Sequence, residues 1–169
     1  MPKTIFSKED EIRTLVVSKP HVVILGAGAS RATCLHGDKN NRILPLMADF
    51  IDTLRLTEVL ERAGIEYSGK NYEEIYAELC RDENNRELAQ TIETHTAHYF
   101  RELELPTYPT IYDYLVLSLR RKDIIATFNW DPLLFQAYKR NSSVAEMPTV
   151  IYLHGCCAIG YCATDKIQD

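Results

Sequence analysis

The sequence has no apolar run that approaches the roughly 20 residues a membrane-spanning helix needs, so no membrane association is expected. It has no excess of positive charge: 19 Lys and Arg stand against 24 Asp and Glu, a formal net charge of −5. A double-stranded nucleic-acid binder shows a basic face, and this balance argues against direct nucleic-acid binding. The two dense basic clusters, Arg120-Arg121-Lys122 and Lys139-Arg140, read as solvated helix ends where positive charge suits the dipole. There is no CxxC pair, whereas a four-cysteine zinc ribbon needs two, so no zinc and no other metal site is expected. Met1 to Glu11 is polar and charged and lacks the apolar core of a signal peptide. The five cysteines, Cys34, Cys80, Cys156, Cys157 and Cys162, form an odd set. Together these point to free thiols in a reducing, cytoplasmic setting.

What is present is an ordinary globular composition. Hydrophobic residues make up 46% of 169 residues, enough for one domain with a sizeable core. Ser7-Lys8-Glu9-Asp10 has the form of a capping box, and a short helix is expected to follow to about Ser18, ended by Pro20. His21-Val22-Val23-Ile24-Leu25 is a continuous β-branched run without alternation, the pattern of a strand buried on both faces. Asp123 to Phe128 and Pro148 to Leu153 are further strand candidates. Helices are expected from Pro45 through Leu54, near Tyr72 to Cys80, near Glu87 to Leu103, near Ile111 to Arg121, and after Pro132. Tyr76, Leu79, Ile92, Tyr99, Phe100, Tyr114 and Leu115 read as packing residues on those helices. The stretch after Cys156 has room for one more short strand or turn.

Strands separated by helices define an α/β, Rossmann-like fold: a mostly parallel sheet with helices on both faces and a helical insertion at about 45–121. Such sheets bind ligands at the carboxyl ends of their strands. Each strand candidate ends in a small polar group there. The first is followed by Gly26-Ala27-Gly28-Ala29-Ser30, the second by Asn129-Trp130-Asp131, the third by His154-Gly155. A glycine turn lets a ligand approach the main chain, and its exposed N–H groups suit a phosphate. Taken alone, it equally suits a plain connection between two elements. Asn129 can both donate to and accept from a ribose hydroxyl or a water. Asp131 suits a ribose contact and, equally, a cap on the helix after Pro132. His154 has the side-chain type best matched to proton transfer near neutrality. His95 and His98, three apart on a helix, read as a solvated face.

A hydride-transferring dehydrogenase is disfavoured. The dinucleotide fingerprint needs a third glycine, which Arg31 to Thr33 does not supply, and an acid after the next strand. Asp49 has the right separation, but it falls in a stretch that reads as helix. The polar segment from Arg31 to Leu44 is expected to act as a mobile lid.

In this order, Gly26-Ala27-Gly28-Ala29-Ser30, Thr127-Phe128-Asn129-Trp130-Asp131 and His154-Gly155 resemble the motifs of the sirtuin superfamily. The likeness is closest to the divergent bacterial sirtuin-like NAD-hydrolase domains of anti-phage defence proteins. Leu44-Pro45-Leu46-Met47-Ala48-Asp49-Phe50 is similar to the proline-leucine helix start of that group, and the helical insertion suits it too. The resemblance implies NAD as substrate. Gly26, Ala27, Gly28 and Ser30 would hold it, Asn129 would position the ribose or the attacking water, Asp131 would support the ribose, and His154 would act as base. It implies cleavage of NAD to nicotinamide and ADP-ribose, under the control of a homo-oligomer or an activating protein partner. It also implies that a complete domain continues past the histidine, so residues 1–169 are expected to be a single domain truncated after His154-Gly155. A non-catalytic module binding NAD or ADP-ribose is the alternative. Protein deacylation is the weaker reading: Phe128 stands where deacylases carry glutamine, Leu46-Met47 replaces their Phe-Arg pair, and the ribbon is missing.

Overall fold

The computed structural model describes Ser7 and residues 19–159. The helix expected up to Ser18, Cys162 and any strand beyond Ile159 lie outside those residues.

Three four-residue strands, β1 (Val22–Leu25), β2 (Ile124–Thr127) and β3 (Thr149–Tyr152), form a parallel sheet in the order β1-β2-β3. Leu25 pairs with Thr127 and Thr127 with Tyr152, so the three carboxyl ends are level. The amino ends are fixed by Asp123, whose Oδ1 accepts from the His21 amide at 2.8 Å and whose Oδ2 accepts from the Arg120 amide at 2.7 Å.

Helices pack around this sheet. After the glycine turn comes α1 (Ala27–Thr33). The insertion then begins with a 3₁₀ turn at Met47–Asp49 and α2 (Phe50–Thr53), followed by α3 (Thr57–Arg62) and α4 (Tyr72–Arg81). A second 3₁₀ turn at Glu83–Asn85 leads into α5 (Arg86–Arg101) and then α6 (Ile111–Ser118). Helix α7 (Leu133–Asn141) joins β2 to β3 and packs against α6. The fold is α/β and Rossmann-like, with the helical insertion where the sequence places it. The helix expected to open at Pro45 opens two residues later, at Met47, where the Asp49 carboxylate closes the first turn by accepting from the Leu46 amide at 2.5 Å.

The strands differ from expectation in one respect. Leu25, Ile125 and Thr127 are buried, while Val22 and Ile24 are 62% and 69% exposed. Burial is one-sided, although the sequence of β1 is apolar throughout. Strand order explains this. Right-handed crossovers between consecutive neighbours send both connections across the same face. Among the described residues the opposite face is left open at Val22, Ile24 and Ile151.

An aromatic cluster locks the insertion to the sheet. Phe50, Tyr72 and Phe100 surround Trp130, with ring centroids 5.9, 6.0 and 6.2 Å from it. Edge-on aromatic contacts of this kind add roughly 0.5–1.5 kcal/mol each beyond area burial. Of the expected packing residues, Tyr114 is 65% exposed, since Tyr112 and Val116 occupy the inward face of α6.

Within Arg31 to Leu44, the segment expected to act as a lid, the loop is hydrogen-bonded around Asp38. Buried Asp38 accepts from the amides of Asn40 and Arg42 with Oδ1, and from the amide of Glu104 with Oδ2, all within 2.9 Å. Gly37 turns there with φ +100°, and a Cβ would meet the Asn41 backbone at 2.8 Å. No helix among the described residues is long and apolar enough to cross a membrane.

Candidate functional site

The level carboxyl ends bring the three polar groups to one edge. Ala27, Ser30, Asn129, Asp131 and His154 line a single cavity of about 240 Å³, walled by Leu44, Pro45, Phe100 and Trp130 among others. Gly26 and Gly28 sit beside it at the exposed turn rather than on its wall. Neither has a positive φ, and a Cβ on either would meet nothing within 4 Å. The protein itself therefore does not require glycine at these positions. The amides of Ala27 and Gly28, at the open end of α1, have no intrahelical acceptor.

Asn129 organises this edge. Its Nδ2 lies 3.0 Å from Gly26 O, 2.8 Å from Ser30 Oγ and 3.2 Å from Tyr112 Oη. Gly26 O can only accept, which fixes the amide orientation with nitrogen toward the turn. One hydrogen goes to Gly26 O and the other is shared between the two hydroxyls. Oδ1 remains as the group through which Asn129 can accept from a ligand. The Asn129 amide is itself held by Thr127 Oγ1 at 3.1 Å. Ser30, 1% exposed, has its Oγ 2.7 Å from Tyr112 Oη, so its hydroxyl is committed to this network.

Asp131 is 5% exposed. Its Oδ1 accepts from the Leu133 amide at 3.1 Å, so it does cap the turn into α7. Burial pushes its carboxyl above the ordinary range, against the favourable contacts of the Ser30 hydroxyl and the Leu133 amide. His154, on the turn after β3, is exposed and meets the Phe128 ring edge-on at 5.1 Å.

A second chamber of about 480 Å³ adjoins the first and shares Glu73, Phe100, Trp130 and His154 with it. Tyr72, Tyr76, Glu93, Cys156 and Cys157 contribute to its wall. The Cys157 amide donates to Trp130 O at 2.9 Å, which folds the chain after His154 back over β2.

Asp49 is in the 3₁₀ turn, paired with Arg31 at 2.5 Å and far in role from an acid at a strand end. Burial works against its ionisation, yet the Arg31 guanidinium and the Leu46 amide hold its carboxyl below the usual range. His95 and His98 are exposed on α5, and among the described residues no group of His, Cys, Asp and Glu is arranged to hold a metal ion.

Sequence reading missed Tyr112, Glu73 and Trp130. Tyr112 joins the network from 82 residues away from Ser30 and 17 from Asn129, on a helix whose pattern reads only as core. Glu73 reaches the cleft because α4 packs across it, and nothing local in the sequence marks that.

Fold and site together define a Rossmann-like α/β domain with a two-chambered cleft at the carboxyl edge of its sheet. No protein-family model matches the chain, and a search among curated proteins returns no match.

Proposed function

We propose that this chain is an NAD-hydrolysing domain of the sirtuin-like kind, cleaving NAD to nicotinamide and ADP-ribose, and acting as an effector in bacterial anti-phage defence. One observation carries the reading: the Asn129 side chain is bonded to the glycine turn and lines the same cleft as His154. A diphosphate suits the exposed turn at Gly26, Ala27 and Gly28, where the Ala27 and Gly28 amides are open and the two glycines leave room for it. The ribose then reaches toward Asn129 and Asp131.

The reaction breaks the bond between ribose C1′ and the pyridinium nitrogen. Nicotinamide leaves as a neutral amide, so no acid is needed at the leaving group. Positive charge develops on the ribose ring, and a carboxylate or amide oxygen nearby stabilises it. Water adds at C1′ and loses a proton, for which His154 is the acceptor at the cleft mouth. The 240 Å³ cavity is smaller than the roughly 300–1,000 Å³ of common ligand sites. The adjoining chamber supplies the rest of the room for a dinucleotide.

Incubation of the purified chain with NAD, with nicotinamide release followed by chromatography, tests the proposal. Release that His154→Ala abolishes supports it. The non-catalytic alternative is favoured by the commitment of Asn129 Nδ2 and Ser30 Oγ to structural bonds. It predicts calorimetric binding of ADP-ribose with no nicotinamide released.

A further inference from the structure

The second chamber has a wall that the steps of hydrolysis leave unused, and the helical insertion builds most of it. On α4, Tyr72 and Tyr76 fall at i and i+4, one turn apart. Glu73 lies beside them, at the border with the first cavity. On α5, Glu93, Thr96 and Phe100 fall at i, i+3 and i+7, along one face of the helix. Trp130 closes the chamber from beyond the end of β2.

Aromatic rings therefore surround a space of about 480 Å³. Tyr72 stacks on Tyr76, with centroids 5.9 Å apart and planes 6° from parallel. Tyr72 and Phe100 meet Trp130 edge-on, at 6.0 and 6.2 Å. The tyrosine hydroxyls are engaged: Thr96 Oγ1 donates to Tyr72 Oη at 3.3 Å, and Tyr76 Oη donates to Glu93 Oε2 at 3.2 Å. The fixed charges have one sign. Glu73 and Glu93 stand on the wall, and among the described residues no Lys or Arg lines either chamber. Neither side-chain oxygen of Glu73 has a hydrogen-bond or ion-pair partner among those residues. Aromatic rings attract organic cations, and a carboxylate beside them adds direct charge attraction. A neutral ring of the same shape gains the apolar contact alone.

We propose that the second chamber is a binding site for a flat organic cation of the pyridinium kind, with Glu73 and Glu93 selecting for its charge. Two ligands carry this chemistry: the pyridinium end of an NAD molecule whose diphosphate lies at the glycine turn, and a separate small aromatic cation. The first source rests on the reading of the cleft as an NAD site. Glu73 lines both chambers, so it then stands where the dinucleotide passes from one to the other. The chamber would in that case favour the oxidised dinucleotide, whose ring is charged, over the reduced one, whose ring is neutral.

Ligand-observed NMR titration of the full chain with 1-methylnicotinamide, a pyridinium cation, and with neutral nicotinamide tests this. The cation is expected to bind about tenfold or more tighter than the neutral ring. Glu73→Gln, at an exposed position, is expected to cut that preference about threefold or more. Glu73→Gln combined with Glu93→Gln is expected to bring the two ligands level. Glu58→Gln, on α3 and outside the chamber wall, removes one charge elsewhere and is expected to keep the preference. Displacement of 1-methylnicotinamide by NAD but not by ADP-ribose assigns the chamber to the dinucleotide's own ring. Retention in the presence of NAD assigns it to a separate cation. Equal affinity for the two rings in the unaltered chain overturns the proposal, as does a preference that survives the double variant or is lost equally in Glu58→Gln. The titration needs no turnover. A chain that releases no nicotinamide but prefers the cation contradicts hydrolysis alone, and one that hydrolyses NAD without the preference contradicts the cation site alone.

Discussion

Asn129 Nδ2 stands 2.8 Å from Ser30 Oγ, which joins the end of β2 to the start of α1 across 99 residues of sequence. Tyr112 Oη contacts both, so three elements meet in one buried hydrogen-bonded group. Removing the hydroxyl in Tyr112→Phe leaves Ser30 and Asn129 each one partner short. The expected cost is about 1–2 kcal/mol in denaturant unfolding. NAD affinity should fall with it, because the glycine turn loses its brace. A variant as stable as the original, with unchanged affinity, contradicts the bracing role.

Gly28→Ala separates folding from binding. Gly28 has a helical backbone, and an added Cβ meets nothing within 4 Å. In a helix the substitution is worth up to about 0.5–1 kcal/mol of added stability. Under the proposed reaction the same methyl intrudes where the diphosphate approaches, so NAD binding should weaken while the thermal midpoint rises. Titration calorimetry and a thermal melt read the two effects separately. Tighter or equal NAD binding counts against a phosphate at the turn.

Asp113 gives a pH signature. Its Oδ1 accepts from Arg140 Nε at 2.9 Å and Asn141 Nδ2 at 2.7 Å, and its Oδ2 accepts from the Thr110 hydroxyl at 2.7 Å and from Arg140 Nη2. Burial pushes the carboxyl up, but these donors prevail and hold it at about 2. An unfolded aspartate titrates near 3.9. The lowered folded value means the stabilisation is fully present above about pH 4 and disappears as pH falls toward about 2. In thermal melts, the gap between the original protein and Asp113→Asn should narrow across that interval. A gap that is constant from pH 5 to about 2 removes this ion pair from the acid response.

The thiols should differ in reactivity. The neighbouring Cys157 thiol lowers the Cys156 pKa below the ordinary thiol range, against the effect of burial. Burial pushes Cys34 up to about 12. With iodoacetamide near pH 7.5, Cys156 should be alkylated well before Cys34, as mapped by mass spectrometry. If a dinucleotide fills the second chamber, NAD should slow the labelling of Cys156. Equal rates at Cys34 and Cys156 contradict the described burial.

Much of this was legible in the chain because its signals are local. The β-branched runs at Val22–Leu25 and Ile124–Thr127 mark strands, and the polar groups that follow them mark the edge where the cleft lies. The apolar run of β1 suggested two-sided burial, yet strand order decides which face the described helices cover, and a run of Val and Ile does not encode strand order. Helix α3 went unread because it turns only six residues and buries Leu60 alone. Tyr112 was invisible as a site residue, since its meaning lies in the hydroxyl at the far end of a core-facing side chain. Asp131, for which cap and ligand contact were equally suited, has the cap bond to Leu133 and also lines the cavity.

The central claim is the cleavage of NAD at a site that contains Asn129 and His154. Quantifying nicotinamide and ADP-ribose released from NAD by the purified chain, beside His154→Ala at equal fold content by circular dichroism, tests it most directly. The account predicts equimolar release of both products by the unaltered chain, with loss of about two orders of magnitude or more in the variant. NAD bound and recovered intact, or release that is unchanged in His154→Ala, contradicts it.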